Sequence, residues 1–163
     1  MLEHGAPKLS LASGMNAGIG IIVNPHARSN RRAKRDPAER FAEIGDGLAD
    51  VRKTQNLEEV EQAAKDFRAT GVSFVGVSGG DGSCHHAITR LIRAYAPGPP
   101  PPVLLLKGGT MDLAALAVGL KGRGPDILER LVRTMREGRE VEIQRRDTLK
   151  IGTCTDFCGG RGS

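Results

Sequence analysis

The chain has no tryptophan, one tyrosine and four phenylalanines in 163 residues. A core must therefore rest on Leu, Ile, Val and Ala. So few aromatic platforms also argue against base-stacking recognition of single-stranded nucleic acid, and no nucleic-acid partner is expected. Cysteine is scarce, at positions 84, 154 and 158. The number is odd, and the last two have no second pair to complete a zinc site; a reducing cytoplasm is the simplest setting. No run approaches the ~18 apolar residues of a membrane span. The first eighteen residues hold no basic stretch followed by an apolar one, so no signal peptide is expected.

What the chain has in quantity is glycine (22), proline (9) and positive charge, with a formal net charge of +5. The length suits one ordinary domain with a small appendage. The charge favours anionic partners, with nucleotides and acidic lipid headgroups both open. The expected location is the cytoplasm, and peripheral contact with an anionic membrane surface stays open, as does a homodimer.

Along the chain, residues 1–18 read as a flexible leader. Ile19 to Val23 is an apolar strand stopped by Asn24-Pro25. Arg28, Arg31, Arg32, Lys34 and Arg35 follow in a basic turn, either a solvated loop or a contact for phosphates or headgroups. Pro37 to Leu48 has helical spacing, Val51 is too isolated for more than a short strand, and Asn56 with Glu59 forms a capping-box pattern opening a helix that Gly71 ends. Val72 to Val77 is a second buried strand, with a helix over 84–95. Pro97 to Pro102 is a rigid connection to a third strand, Val103 to Leu106. Helical spacing returns at about 111–118 and again around Ile127 to Met135. Val141/Ile143 and Leu149/Ile151 alternate like strands of another layer. Strands alternating with helices specify an α/β fold: three layers, a mostly parallel sheet with helices on both faces, joined by right-handed crossovers. The expected division is leader 1–18, α/β domain 19–140, and the start of a truncated β-rich second domain at 141–163.

Unusual residues gather in turns that follow apolar strands, where α/β proteins place ligands. The central one is Ser78-Gly79-Gly80-Asp81-Gly82-Ser83. Its glycines can take positive φ and bring backbone close to a ligand, and free N–H groups at a helix start favour phosphate. Asp81 repels a bare phosphate, so it makes more sense beside a metal, a bound water or a hydroxyl that must lose a proton. The bland alternative is a plain β-to-α turn with an Asp cap. Asn24-Pro25-His26-Ala27-Arg28 and Gly108-Gly109-Thr110-Met111-Asp112 are the other two turns, and all three can meet at one sheet edge. His85 and His86 are adjacent on a helix and point apart, which does not make a metal site.

Residues 19–150 resemble the nucleotide-binding domain of the diacylglycerol kinase and sphingosine kinase family. Asn24-Pro25 is similar to the family's Asn-Pro turn, and Gly79-Gly80-Asp81-Gly82-Ser83 to its Gly-Gly-Asp-Gly-Thr signature. Gly109-Thr110-Met111-Asp112 running to Val118-Gly119-Leu120 is similar to its third motif, and Arg146-Asp147 to Ile151 to the strand entering its second domain. The resemblance implies an NAD kinase/diacylglycerol kinase-like fold and transfer of the γ-phosphoryl group of Mg-ATP to a lipid hydroxyl, so ATP and Mg2+ as cofactors. By motif, Asn24, Pro25, His26, Ala27 and Arg28 would line the nucleotide, with Thr54 beside it. Gly80 to Ser83, Gly82 among them, would hold phosphates and Thr110 would close the far side, with Gly79 and Gly109 also counted as nucleotide-binding. Asp81 would be the catalytic carboxylate, polarising the acceptor hydroxyl or acting through metal-bound water, and no protein metal ligands are assigned. The departures are His86 in the place of a family Glu, Ala27-Arg28 for Ser-Gly, and Asp112 for Asn. The second domain would also need far more chain than follows residue 151. A non-catalytic nucleotide-binding module and an NAD kinase-type enzyme with a soluble acceptor stay open beside the lipid kinase.

Overall fold

The structure, a computed structural model, describes residues 8–9 and 18–146. Its central sheet has four parallel strands in the order β3-β2-β4-β5: β2 is Ile19–Val23, β3 Ala49–Lys53, β4 Phe74–Ser78 and β5 Val103–Leu105. Helices α3 (Leu57–Thr70) and α4 (Asp81–Tyr95) pack together on one face, and α2 (Pro37–Gly45) and α6 (Gly124–Arg136) on the other. Two short helices, α1 (Arg28–Arg32) and α5 (Leu113–Ala117), follow β2 and β5. β1 (Lys8–Leu9) pairs antiparallel with β6 (Val141–Glu142).

The period of two along a strand divides the core into these layers. Ile19, Ile21 and Val23 of β2 meet Phe41, Leu128 and Leu131 on one face. Ile22 of the same strand, with Val75 and Val77 of β4, meets Phe67, Ala87 and Leu91 on the other. Gly20 sits where a Cβ would lie 2.6 Å from the Phe67 ring, so the strand carries no side chain where that ring passes. Phe67 is fully buried, and its truncation to Ala costs about 3–5 kcal/mol by the usual core scale. Helix ends follow local chemistry. Asn56 Oδ1 accepts from Glu59 N at 2.9 Å and Glu59 Oε2 from Gln55 N at 2.8 Å, while Gly71, at φ +69°, closes α3 by donating to Phe67 O at 3.0 Å.

The α/β architecture with a parallel sheet covered on both faces agrees with the sequence reading. Details differ. β3 is a five-residue strand in register with β2 from Ile19↔Ala49 to Val23↔Lys53, because an edge strand can alternate polar residues outward. The basic turn winds into α1. Helix α4 starts at Asp81, ahead of the expected residue 84, so the glycine-rich turn is partly its first turn. Leu149, Ile151, Cys154 and Cys158 lie outside the described residues. Among the described residues, no helix is long and apolar enough to cross a membrane.

Candidate functional site

Parallel strands end on the same side, so Asn24, Thr54, Gly79 and Lys107, which lie just past the four strand ends, share one edge of the sheet. The ladder continues into the turns. Asn24 N donates to Ser78 O at 2.9 Å, Thr54 N to Val23 O at 2.9 Å and Leu106 N to Val77 O at 2.9 Å.

Side chains then tie the turns to one another. Asn24 Nδ2 donates to Ser83 Oγ at 2.8 Å, and its Oδ1 accepts from His26 N at 2.9 Å. Asn30, on α1, donates through Nδ2 to Asn24 O at 2.8 Å and to Ser78 Oγ at 3.2 Å. Ser29 donates from N to Gly108 O at 3.0 Å and from Oγ to Gly109 O at 2.7 Å. The second and third turns meet backbone to backbone. A Cβ on Gly109 would lie 2.5 Å from Gly80 Cα, and one on Gly79 would lie 2.4 Å from Ser83 Cβ. None of Gly79, Gly80, Gly82 and Gly109 has positive φ. Gly79, Gly80 and Gly109 serve close approach, in place of the left-handed turn that composition also allowed.

Asp81 follows Gly80, the N-cap residue of α4, and its carboxylate serves a different helix. Oδ2 accepts from Leu113 N at 3.2 Å and Oδ1 from Ala114 N at 3.1 Å, the first turn of α5. Asp112, at φ +48°, turns its Oδ1 to Gly109 N at 3.0 Å. Gly80 supplies no side-chain cap to α4. The first N–H groups of a helix have no intrahelical acceptor, so those of Asp81, Gly82 and Ser83 are the natural donors at this edge. A Cβ on Gly82 would meet nothing within 4 Å, so open space lies beside that helix start. Asp81 thus caps α5 through two backbone N–H groups, and its negative charge remains beside the start of α4.

A cavity of about 190 Å³ opens beside the second turn, lined among others by Asn24, Thr54, Asn56, Ser78, Ser83 and His86. Thr54 is buried and Ser83 half-buried, while His86 is exposed. Of the residues singled out from sequence, Asn24, Thr54 and Ser83 share this cavity. Pro25 lines a separate cavity with Lys34 and Lys53. Ala27 is buried, and His26, Arg28, Asp81, Gly82 and Thr110 are exposed. Sequence reasoning passed over Asn30 and Ser29, hidden in an arginine run, although a lone Asn among bases is a signal for a specific hydrogen bond. It also passed over Asn56 as a wall of the cavity, reading it only as a cap.

The carboxylates at this edge mark themselves electrostatically. Burial pushes the Cys84 thiol of α4 up to about 11, and the negative charges of Asp81 and Asp112 add to the rise. Cys84 is therefore a neutral thiol packed under the helix. Among the described residues, no three His, Cys, Asp or Glu side chains are grouped to hold a metal. With Asp81 and Asp112 engaged by backbone N–H groups, the residues here do not by themselves fit a protein-held ion.

The family model for the diacylglycerol kinase catalytic domain matches residues 18–144. No curated protein sequence matches. A solved diacylglycerol kinase structure from Bacillus anthracis strain Sterne is similar at TM-score 0.55 and 17% identity, over 72% of this chain and 42% of that one. Two further structures from the same organism, described as candidate diacylglycerol kinases, are similar at TM-scores of 0.52 and 0.53, with 19% and 16% identity. Each is matched by 72% of this chain, which covers 42% and 41% of them. The chain thus spans about two fifths of the length of the solved structures it matches, and at these identities the likeness is one of fold.

Proposed function

The chain belongs to the diacylglycerol kinase catalytic-domain family, and from that premise we propose that it is the ATP-binding part of a lipid kinase, transferring the γ-phosphoryl group to a diacylglycerol-like hydroxyl. The observation that carries the proposal is the start of α4. Gly80 leaves the first N–H groups uncapped, the space at Gly82 is open, and the cavity lined by Asn24, Thr54 and Ser83 adjoins them. Phosphates suit the N–H groups and the positive end of the helix, with the base near Asn24 and Thr110.

In the reaction the lipid hydroxyl oxygen attacks the γ-phosphorus, the bond to the β–γ bridging oxygen breaks, and ADP leaves. The hydroxyl proton must go to a base. Asp81 is our assignment, since each carboxylate oxygen that receives one N–H keeps a further lone pair. Positioning and charge neutralisation do most of such chemistry. Magnesium would arrive on the phosphates of the nucleotide, as this ion ordinarily does.

His86 in place of a family Glu, and coverage of only 42% of a related chain, favour a second reading: these 163 residues bind nucleotide and need further chain to complete the acceptor site. ATP consumption with diacylglycerol mixed micelles, with NAD, and with neither separates the readings. Nucleotide binding with lipid-dependent transfer once a complete relative's second domain is supplied supports the proposal. Phosphorylation of NAD without lipid would replace it with a soluble-acceptor kinase.

A further inference from the structure

We infer that Lys107 is a phosphate-binding residue of the nucleotide site, its ammonium group supplying the positive charge that the start of α4 lacks. The inference rests on the reading of a nucleotide at that edge and assigns a further residue to it. Lys107 follows β5 and Leu106, at the head of the turn that runs to Asp112.

Its backbone is the first sign. Among the described residues, three other than glycine have positive φ: Asp46 at 42°, Lys107 at 41° and Asp112 at 48°. Two of them sit at helix ends. Asp46 is the C-cap of α2 and donates from N to Ala42 O at 3.0 Å, and Asp112 is the N-cap of α5. Lys107 caps nothing, while Gly108 and Gly109 beside it, which could adopt this conformation freely, do not. A residue with a Cβ is strained in the left-handed region where glycine is not. Such strain collects where function requires the side chain.

Position is the second sign. β4 and β5 pair in parallel from Val75↔Val103 to Val77↔Leu105, and Leu106 N, donating to Val77 O at 2.9 Å, carries the ladder further. Lys107 therefore comes level with Gly79. The turn then closes on the glycines of its neighbour. A Cβ on Gly108 would lie 2.8 Å from Gly79 N, and one on Gly109 2.5 Å from Gly80 Cα. Lys107 thus stands beside the two residues that lead into α4.

Charge is the third. Asp81 and Asp112 both keep their negative charge near this helix start, where they add to the burial-driven rise of the Cys84 pKa. Phosphates placed there need a cation against those carboxylates. Lys107 is the one lysine or arginine in the turns 78–83 and 107–112. It is half-buried and, among the described residues, forms no ion pair. Partial burial strengthens its pull on a phosphate, which lysine binds as a compact point charge on a mobile stem.

The test is calorimetry of wild type, K107Q, K107R and K107G with ADP and with adenosine, magnesium being present throughout, beside urea denaturation of each. ADP affinity should fall about 10–100-fold in K107Q and K107G, as for the loss of one hydrogen bond to a charged group. K107R, which restores the charge, should keep most of it. The deficit of K107Q should shrink as salt is raised. Adenosine should bind all four chains equally. K107G should also raise the urea midpoint, since glycine relieves the left-handed strain. K107Q that binds ADP as tightly as wild type overturns the inference. So does an equal loss for adenosine, which would make Lys107 a structural support of the turn. Either result with wild-type ADP binding intact leaves the kinase reading standing. A wild-type chain that binds no ADP sinks both.

Discussion

Substituting Gly82 should move stability and nucleotide affinity in opposite directions. Gly82 is the second residue of α4, and a glycine in a helix costs about 0.5–1 kcal/mol relative to alanine. A first-turn position lies at the lower end. A Cβ there meets nothing within 4 Å, so no clash offsets the gain. Gly82→Ala should therefore stabilise the fold by about 0.5 kcal/mol, raising the urea midpoint by roughly 0.3 M for a domain of this size. Gly82→Val should gain less, since a β-branched side chain is a poorer helix former. Yet the added carbons cover the N–H groups proposed to receive phosphate. Loss of one hydrogen bond to a charged group costs about 1.5–3 kcal/mol, or some 10–100-fold in ADP affinity. Gly109→Ala is the contrast. Its Cβ would lie 2.5 Å from Gly80 Cα, backbone that cannot swing aside, and overpacking of this kind costs about 1–3 kcal/mol. Urea denaturation and ADP calorimetry on the three variants read both quantities. Gly82→Val that binds ADP as tightly as wild type removes the phosphates from α4; a destabilised Gly82→Ala contradicts the open space beside it.

Other consequences concern single residues. Asp81→Asn leaves one acceptor oxygen for the two N–H groups of Leu113 and Ala114; we expect a loss of about 1 kcal/mol in stability and, in an assembly that turns over, a ~10²–10⁴-fold lower rate. An unchanged rate would leave Asp81 as the cap of α5 alone. Cys84 should resist iodoacetamide at pH 8 in the native chain and react after urea, with peptide mapping separating it from Cys154 and Cys158. Because burial raises its pKa to about 11 from 9.0, the unfolded chain gives up this proton first as pH rises. Stability should therefore be intact below about pH 9 and fall between 9 and 11, and a flat profile in a Cys84→Ala comparison would count against the burial of the thiol. Arg68 donates from Nη1 to Ala94 O at 2.5 Å and Ala96 O at 3.2 Å, so Arg68→Ala should cost about 1–2 kcal/mol by thermal denaturation.

The layers of the fold were legible because burial writes itself into the sequence. The unbroken apolar strands at 19–23 and 74–78 can only be central, and the Asn56/Glu59 cap with Gly71 brackets α3 on local chemistry alone. β3 was harder, since at the sheet edge only Val51 is plainly apolar and pairing with β2 supplies the rest. The basic run concealed α1, whose ordering comes from Asn30 and Ser29 reaching turns dozens of residues away. The meeting of the three turns followed from each one ending a parallel strand. What Asp81 holds did not, because its partners at 113 and 114 are set by how α5 folds back. Close backbone approach at Gly79 and Gly109 was readable as glycine, but what approaches, Ser83 at one and Gly80 at the other, belongs to the tertiary structure.

The claim on which the rest depends is that nucleotide phosphates sit over the start of α4, and amide NMR of the labelled chain titrated with ADP tests it most directly. The largest shifts should fall on Gly80, Asp81, Gly82 and Ser83, with smaller ones at Asn24, Thr54 and Gly109. Saturation without shifts at 80–83, or shifts confined to another part of the sheet, would contradict it.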